Sequence, residues 1–201
     1  EHPATLVYKD FNQDGQVDPF FSYYIGQQSF PYASRDEALA QVGTLRPRFP
    51  DYISYSTATL ETIFTKQELE NASRLKADLL KTVMLENVGG KFEIRELPIQ
   101  AQYSPVYAIS TTDVDQDGDI DIVLGGNESM VRVRIGKSDA NRGVLLVNDG
   151  KGKFTYVPQN KSGLDLQGDV RELLFISTKG KTQLIVGATG LPVRSYVLGK
   201  E

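Results

Sequence analysis

The chain has 201 residues, with 22 lysines and arginines against 26 aspartates and glutamates, and a formal net charge of −4. No basic stripe breaks that balance, which argues against a nucleic-acid partner, and no run of 18 apolar residues exists, so no helical membrane span is expected. Cysteine is absent, which excludes disulfides, zinc–thiolate centres and cysteine nucleophiles.

The single histidine, His2, sits beside Pro3 and reads as a chain end rather than a catalytic base. Any catalytic group would then be a carboxylate, tyrosine, lysine or arginine. No secretory or lipidation signal stands at either end, and the sequence starts and stops in ordinary globular composition. We therefore expect one piece of a longer protein.

Residues 5–9 read as a short strand. Asp10-Phe-Asn-Gln-Asp-Gly-Gln-Val-Asp18 follows, and residues 20–25 resume an extended pattern after Pro19. Asp10, Asn12, Asp14 and Asp18 fall at positions 1, 3, 5 and 9 of an oxygen-donor loop. Gln16 takes position 7, where only its carbonyl is needed. Gly15 supplies the sharp turn at position 6.

Residues 27–80 change character. Ser34 and Glu37 have capping-box spacing and open a helix through about Val42, which Pro47 and Pro50 end. A second helical segment is expected from Thr57 to Phe64, and Thr65 with Glu68 caps a short third. This stretch reads as a helical insertion. Its aromatics, with those just before it (Tyr23, Tyr24, Phe30, Tyr32, Phe49, Tyr52, Tyr55), fit packing of helices on a sheet better than stacking of sugars.

From residue 81 short strands dominate: 81–86, 92–97, 106–112, 120–125, 130–135, 143–148, 153–157, 171–176, 183–187 and 193–198, with Gly, Asp and Asn in the turns. The strongest motif lies among them, Asp113-Val-Asp-Gln-Asp-Gly-Asp-Ile-Asp121. Two carboxylates about 5 Å apart at an effective dielectric near 20 repel by roughly 3 kcal/mol. Wrapping several around one centre therefore requires a cation. Hard oxygens without sulfur or imidazole select Ca²⁺, and a stricter octahedron makes Mg²⁺ less suited. Asp113, Asp115 and Asp117 supply side chains, Gly118 the turn, Asp119 its backbone carbonyl, and Asp121 closes the shell. Position 12 is Leu124 here and Phe21 in the first copy, where an EF-hand or a dockerin loop would carry an acidic ligand. Each loop feeds a strand instead.

An internal repeat organises the second part. Gly-Lys-Phe recurs 62 residues apart (Phe92 and Phe154), and Ile122-Val-Leu-Gly125 returns as Leu184-Ile-Val-Gly187. In that later copy the ligand positions are Phe175, Ser177, Lys179, Lys181 and Gln183, so no metal is expected there. The two acidic loops lie 103 residues apart (Asp10 and Asp113), and the helical stretch accounts for the surplus over one repeat.

A unit of strand, Asn, Gly-rich turn, Gly-x-Phe, strand, Asp-x-Asp-x-Asp-Gly-x-x-Asp, strand and Gly-Gly resembles the FG-GAP/VCBS repeats. Those repeats are similar to the calcium-bearing blades of integrin α-subunits. The helical stretch combined with Leu97–Pro105 and Gly125-Gly-Asn127 is similar to bacterial ASPIC/UnbV-type VCBS-repeat proteins of Bacteroidetes. The resemblance implies a mainly β fold, a partial β-propeller arc of about three blades. Residues 1–26 would form the first calcium-loop unit, 27–80 the insertion and 81–201 two further repeats. It also implies two Ca²⁺ sites, a secreted, periplasmic or cell-surface location, and a non-enzymatic role in adhesion or in recognition of a glycan or protein. Three units cannot close a ring alone, so exposed blade edges need cover, for which a homodimer is one solution. The alternative function is a carbohydrate-active enzyme or its accessory domain, for which Arg132, Arg134 and Arg171 are weak indications.

Overall fold

The computed structural model describes residues 2–198. The outermost ends of the expected first and last segments, residue 1 and residues 199–201, lie outside the described residues. The chain is mainly β, in four antiparallel sheets with no closed barrel, and divides into two compact units, Glu1–Leu80 and Lys81–Glu201.

In the first unit the strands β1 (Ala4–Lys9), β2 (Asp18–Ile25), β3 (Gln28–Pro31) and β4 (Ser73–Ala77) form one sheet in the order β3-β2-β1-β4. Residues 27–80 are thus not purely helical. They contain two strands, and position 26/27 is the turn of the β2–β3 hairpin. Helix α1 (Arg35–Gln41) has the reciprocal capping box expected of Ser34 and Glu37. The single-turn helices α2 (Tyr52–Tyr55) and α3 (Leu60–Ile63) follow. The sequence missed α2, whose cap is Asp51 paired with Ser54 rather than with a glutamate.

β2 alternates strictly, sending Asp18, Phe20 and Ser22 inward and Phe21 and Tyr23 outward. The period of two gives the sheet one buried face, and the helices cover it with Leu39, Val42, Leu45, Phe49, Ile63 and Phe64. Phe20 is fully buried and meets the Phe64 ring edge-on at 4.9 Å. Phe49 and Tyr55 pack edge to face in the same layer. On the open face, Phe21 and Tyr23 both pack edge-on to Tyr32. Tyr52 is exposed and donates to Asp36, and His2 stacks on Tyr24 at 4.3 Å.

Thr65 and Glu68 make their capping box, yet residues 66–70 form turns instead of a third helix. The Lys9 ammonium takes the carbonyls of Glu68 and Glu70, and Asn71 turns at φ 59 into β4. Arg48 grips the Glu68 carboxylate with both terminal nitrogens, at 2.8 and 2.9 Å.

In the second unit β5 (Val83–Val88) and β6 (Lys91–Glu96) form an exposed hairpin. β7 (Val106–Thr112), β8 (Asp121–Gly126), β9 (Val144–Asn148) and β10 (Phe154–Val157) form a meander in the order β10-β9-β8-β7, and β11 (Val170–Thr178), β12 (Lys181–Ala188) and β13 (Arg194–Val197) a third sheet. The meander is buried on both faces. Val123 and Leu145 face the β11–β13 sheet, while Leu124, Val144 and Leu146 pack on Leu97 and Ala101. Helix α4 (Gln159–Ser162) leads from β10 toward the third sheet.

The expected strand over 130–135 is absent. Its alternating Val and Arg lie on a loop closed by the Glu128–Ser138 bridge, with Val133 fully exposed. The loop base is a buried clip: the Asn127 side chain donates to the Asn141 and Gly168 carbonyls and accepts from the Asn141 amide. Arg171 bonds the Asn127 carbonyl and Glu128 and lies over the Tyr107 ring at 4.2 Å, a structural role.

Two outcomes follow. Phe20→Ala opens a cavity in the first unit and costs roughly 3–5 kcal/mol, read as a lower urea midpoint. The Arg48 hydrogen bonds hold the Glu68 carboxyl down at about 2. A depressed carboxylate contributes stability that is complete above its ordinary value near 4.5 and lost as pH falls through about 2. Both side chains are 39% exposed, so solvent screening limits the pair to about 1 kcal/mol or less. Glu68→Gln should flatten the acid limb of stability between pH 4.5 and 2, checked by urea melts across that range.

Candidate metal centre

Each acidic loop connects two antiparallel strands, 10–18 between β1 and β2 and 113–121 between β7 and β8. The two loops share five backbone-to-side-chain hydrogen bonds, residue for residue, and the first adds one of its own, from the Asn12 side-chain amide to Asp14 at 3.0 Å. The amide of the second residue donates to the last carboxylate: Phe11 to Asp18 and Val114 to Asp121, both at 2.8 Å. The amides of Asp14 and Gly15 donate to the two oxygens of Asp10, and those of Asp117 and Gly118 to the two oxygens of Asp113. Asp14 and Asp117 also donate to the third residue, Asn12 or Asp115, and accept from Gln16 or Asp119. These backbone N–H groups hold the acids of each loop turned inward.

The backbone needed for this is unusual and also shared. The fourth residue, Gln13 or Gln116, sits at φ 61 or 64, and the sixth, Gly15 or Gly118, at φ 86 or 99. Only glycine takes the latter without strain.

The second residue does more than donate its amide. The Phe11 ring stacks on Phe64 at 3.9 Å, and Val114 packs against the core between the two large sheets of its unit. Each loop is therefore pinned from beneath by an apolar side chain between its first two ligand positions.

Asp18 and Asp121 are buried at the loop bases. Asp121 is satisfied on both oxygens, since its Oδ1 accepts the Asn148 amide at 2.9 Å. Ligand-atom positions of Asp113, Asp115 and Asp117 lie within 4.8 Å of one another, the acidic cluster of this kind found among the described residues. Asp115 is exposed, yet desolvation at the loop, followed by the charges of Asp117, Asp121 and Asp113, raises its carboxyl above its ordinary value. An all-oxygen donor set of this form fits Ca²⁺.

Asn12 stands where the second loop has the Asp115 carboxylate, and its amide nitrogen donates to the Gln41 carbonyl at 3.1 Å. Gln41 ends α1, where carbonyls lack helical partners. A carboxylate could not make that bond. The Asp119 side chain lies against the β9–β10 turn, where a Cβ on Gly150 would come within 2.4 Å of its Oδ2. Gln16 is exposed.

The later repeat copy differs in kind. Where residues 113–120 loop out between Thr112 and Asp121, residues 176–183 zip into the β11–β12 ladder and close through Lys179-Gly180. Phe175, Ser177, Lys181 and Gln183 are strand residues there. The sequence reading missed the second-residue anchors Phe11 and Val114, and the Gln41 and Asn148 backbone partners. An apolar residue between the first two ligands was a visible signal for the anchors; the backbone partners come from distant chain and had none.

No protein-family model matches the chain, and no curated protein and no solved structure matches it.

Without divalent ions, Asp121→Ala strands two amides at the loop base and should cost roughly 2–4 kcal/mol. Asp115→Asn relieves repulsion and should leave stability unchanged or slightly raised. Urea melts in chelator compare the two, and an equal loss in both would contradict this division of roles.

Proposed function

We propose that this chain is a calcium-binding module of FG-GAP/VCBS-type β-repeats, non-enzymatic, serving adhesion or recognition in a secreted or surface protein. The observation that carries it is the shared set of five backbone-to-carboxylate or backbone-to-amide hydrogen bonds in the two acidic loops, in separate compact units, with each first acid chelated by two amides. Residues that merely solvate a turn have no reason to converge twice on one scheme.

The repeat reading draws support from a second coincidence. The β7–β8 ladder shifts register at Tyr107 and the β11–β12 ladder at Arg171, each one residue into its first strand. The three-blade arc is the architecture these hairpins would build, the four-stranded β7–β10 meander standing as one blade. Each ion would brace the hairpin that carries it, holding Asp113, Asp115, Asp117 and Asp121, with the Asp119 carbonyl, in one loop. Asp10, Asn12, Asp14 and Asp18, with the Gln16 carbonyl, would serve the other. The exposed Phe21 and Tyr23, packed edge-on to the half-buried Tyr32, offer an aromatic surface of the kind that glycan or protein partners use.

If Kd is near 0.1 mM, calcium at about 1 mM adds roughly 1.4 kcal/mol per site. Calorimetric titration should count two sites and thermal melts should rise by several degrees. Asp117→Ala and Asp14→Ala should each remove one site. Acidification should weaken binding from above the ordinary carboxylate range, because protons compete at the raised Asp115. No heat and no thermal shift at several calcium levels would overturn the proposal.

A further inference from the structure

The second unit contains a cavity of about 690 Å³ that the metal loops do not explain. It lies between two sheets. One wall is the cross-strand rows Val123, Leu145 and Val157, and Val147 with Thr155, on β8, β9 and β10. The other is the row Phe175, Leu184 and Tyr196 across β11, β12 and β13. The sheets pack tightly where β11 meets β7 and β8, and the space opens toward the outer strands.

The chain does not fill this wedge. Its largest lining side chains are Phe175 and Tyr196, and the Tyr196 hydroxyl is committed to the Asp165 carbonyl at 2.6 Å. The chain has no tryptophan. The rest of the two walls is mostly Val and Leu, which cannot satisfy the hydrogen bonds of the water such a volume would hold. Its size falls within the range of about 300–1,000 Å³ found for small-molecule sites.

The rim fixes the polarity of the occupant. Two charged side chains line the cavity, Asp115 and Lys161. Asp115 is turned into the acidic loop, where it accepts the Asp117 amide. Lys161, on α4, is exposed and makes no ion pair among the described residues. Lys161 is therefore the lining cation left for an anionic group, while the negative charge of the 113–121 loop lies at the Asp115 side of the mouth.

We propose that this wedge binds a small amphiphile with an elongated apolar body and a single anionic end. The body lies between the Val123–Leu145–Val157 and Phe175–Leu184–Tyr196 rows, and the anionic end pairs with Lys161. The apolar body binds whether or not the 113–121 loop holds calcium, and the anionic end binds less tightly when the loop charge is not neutralised.

Anilinonaphthalene sulfonate, displaced by dodecanoate and separately by dodecanol, tests this in both chelator and millimolar calcium. The expected result is saturable one-site fluorescence, with displacement by both competitors. Thr155→Trp, at the exposed edge of one wall, should fill the wedge and weaken both by at least about tenfold, the loss of one well-buried apolar contact. Lys161→Glu should weaken dodecanoate about fivefold and leave dodecanol within about twofold, as expected for a rim ion pair. Non-saturating fluorescence, unchanged affinity in Thr155→Trp, or equal loss of both competitors in Lys161→Glu would overturn the proposal. Binding that obeys this pattern in chelator supports the cavity even if calcium has no effect, so the two readings fail separately.

Discussion

The repulsion among the converging carboxylates of the 113–121 loop is the constraint on which its design depends. Placed on a flexible turn, Asp113, Asp115 and Asp117 would fan outward. Here the backbone prevents it. Amides of the same loop hold Asp113 at both oxygens and Asp115 and Asp117 at one each, and the loop base is locked by buried Asp121. The amides do not remove the cost of gathering these groups: desolvation first, then the neighbouring carboxylates, raises the Asp115 carboxyl. The amides only make the geometry fixed, which is what a cation requires of a preformed site.

Each loop is anchored to a different core by the same device. Phe11 enters the aromatic cluster of the first unit, Val114 the space between sheets in the second. Loop conformation is thereby coupled to the packing beneath it. The first loop is also tied sideways, through Asn12, to the end of α1. That tether explains an amide at a ligand position without invoking relaxed selectivity: the side chain must donate as well as accept.

The two units solve the burial of a sheet differently. The first covers one face of its sheet with short helices and leaves the Phe21–Tyr23–Tyr32 face open. The second sandwiches a meander between other elements and leaves a wedge where the sheets diverge. Helices can follow a twisted surface closely. Two twisted sheets splay apart at their outer strands unless bulky side chains fill the gap, and Val and Leu here do not.

The sequence by itself determined what depends on local chemistry. It placed Ser34 and Glu37 at a helix start, both acidic loops with glycine at the sixth residue, and nearly all the strands from residue 81 onward. Each of those features is decided by neighbours a few residues away. Only the tertiary structure decided the rest. Residues 130–135 alternate like a strand, but they lie on the loop whose base the Asn127–Asn141 clip closes. Thr65 and Glu68 cap a helix that Lys9, from the first strand, diverts into turns. Residues 28–31 and 73–77 become strands because β2 and β1 offer them open edges. Residues 176–183 zip closed rather than looping, because no ring of acids forces them apart and two residues suffice for the turn. In every such case the deciding partner lies far along the chain, and pattern within a window carries no information about it.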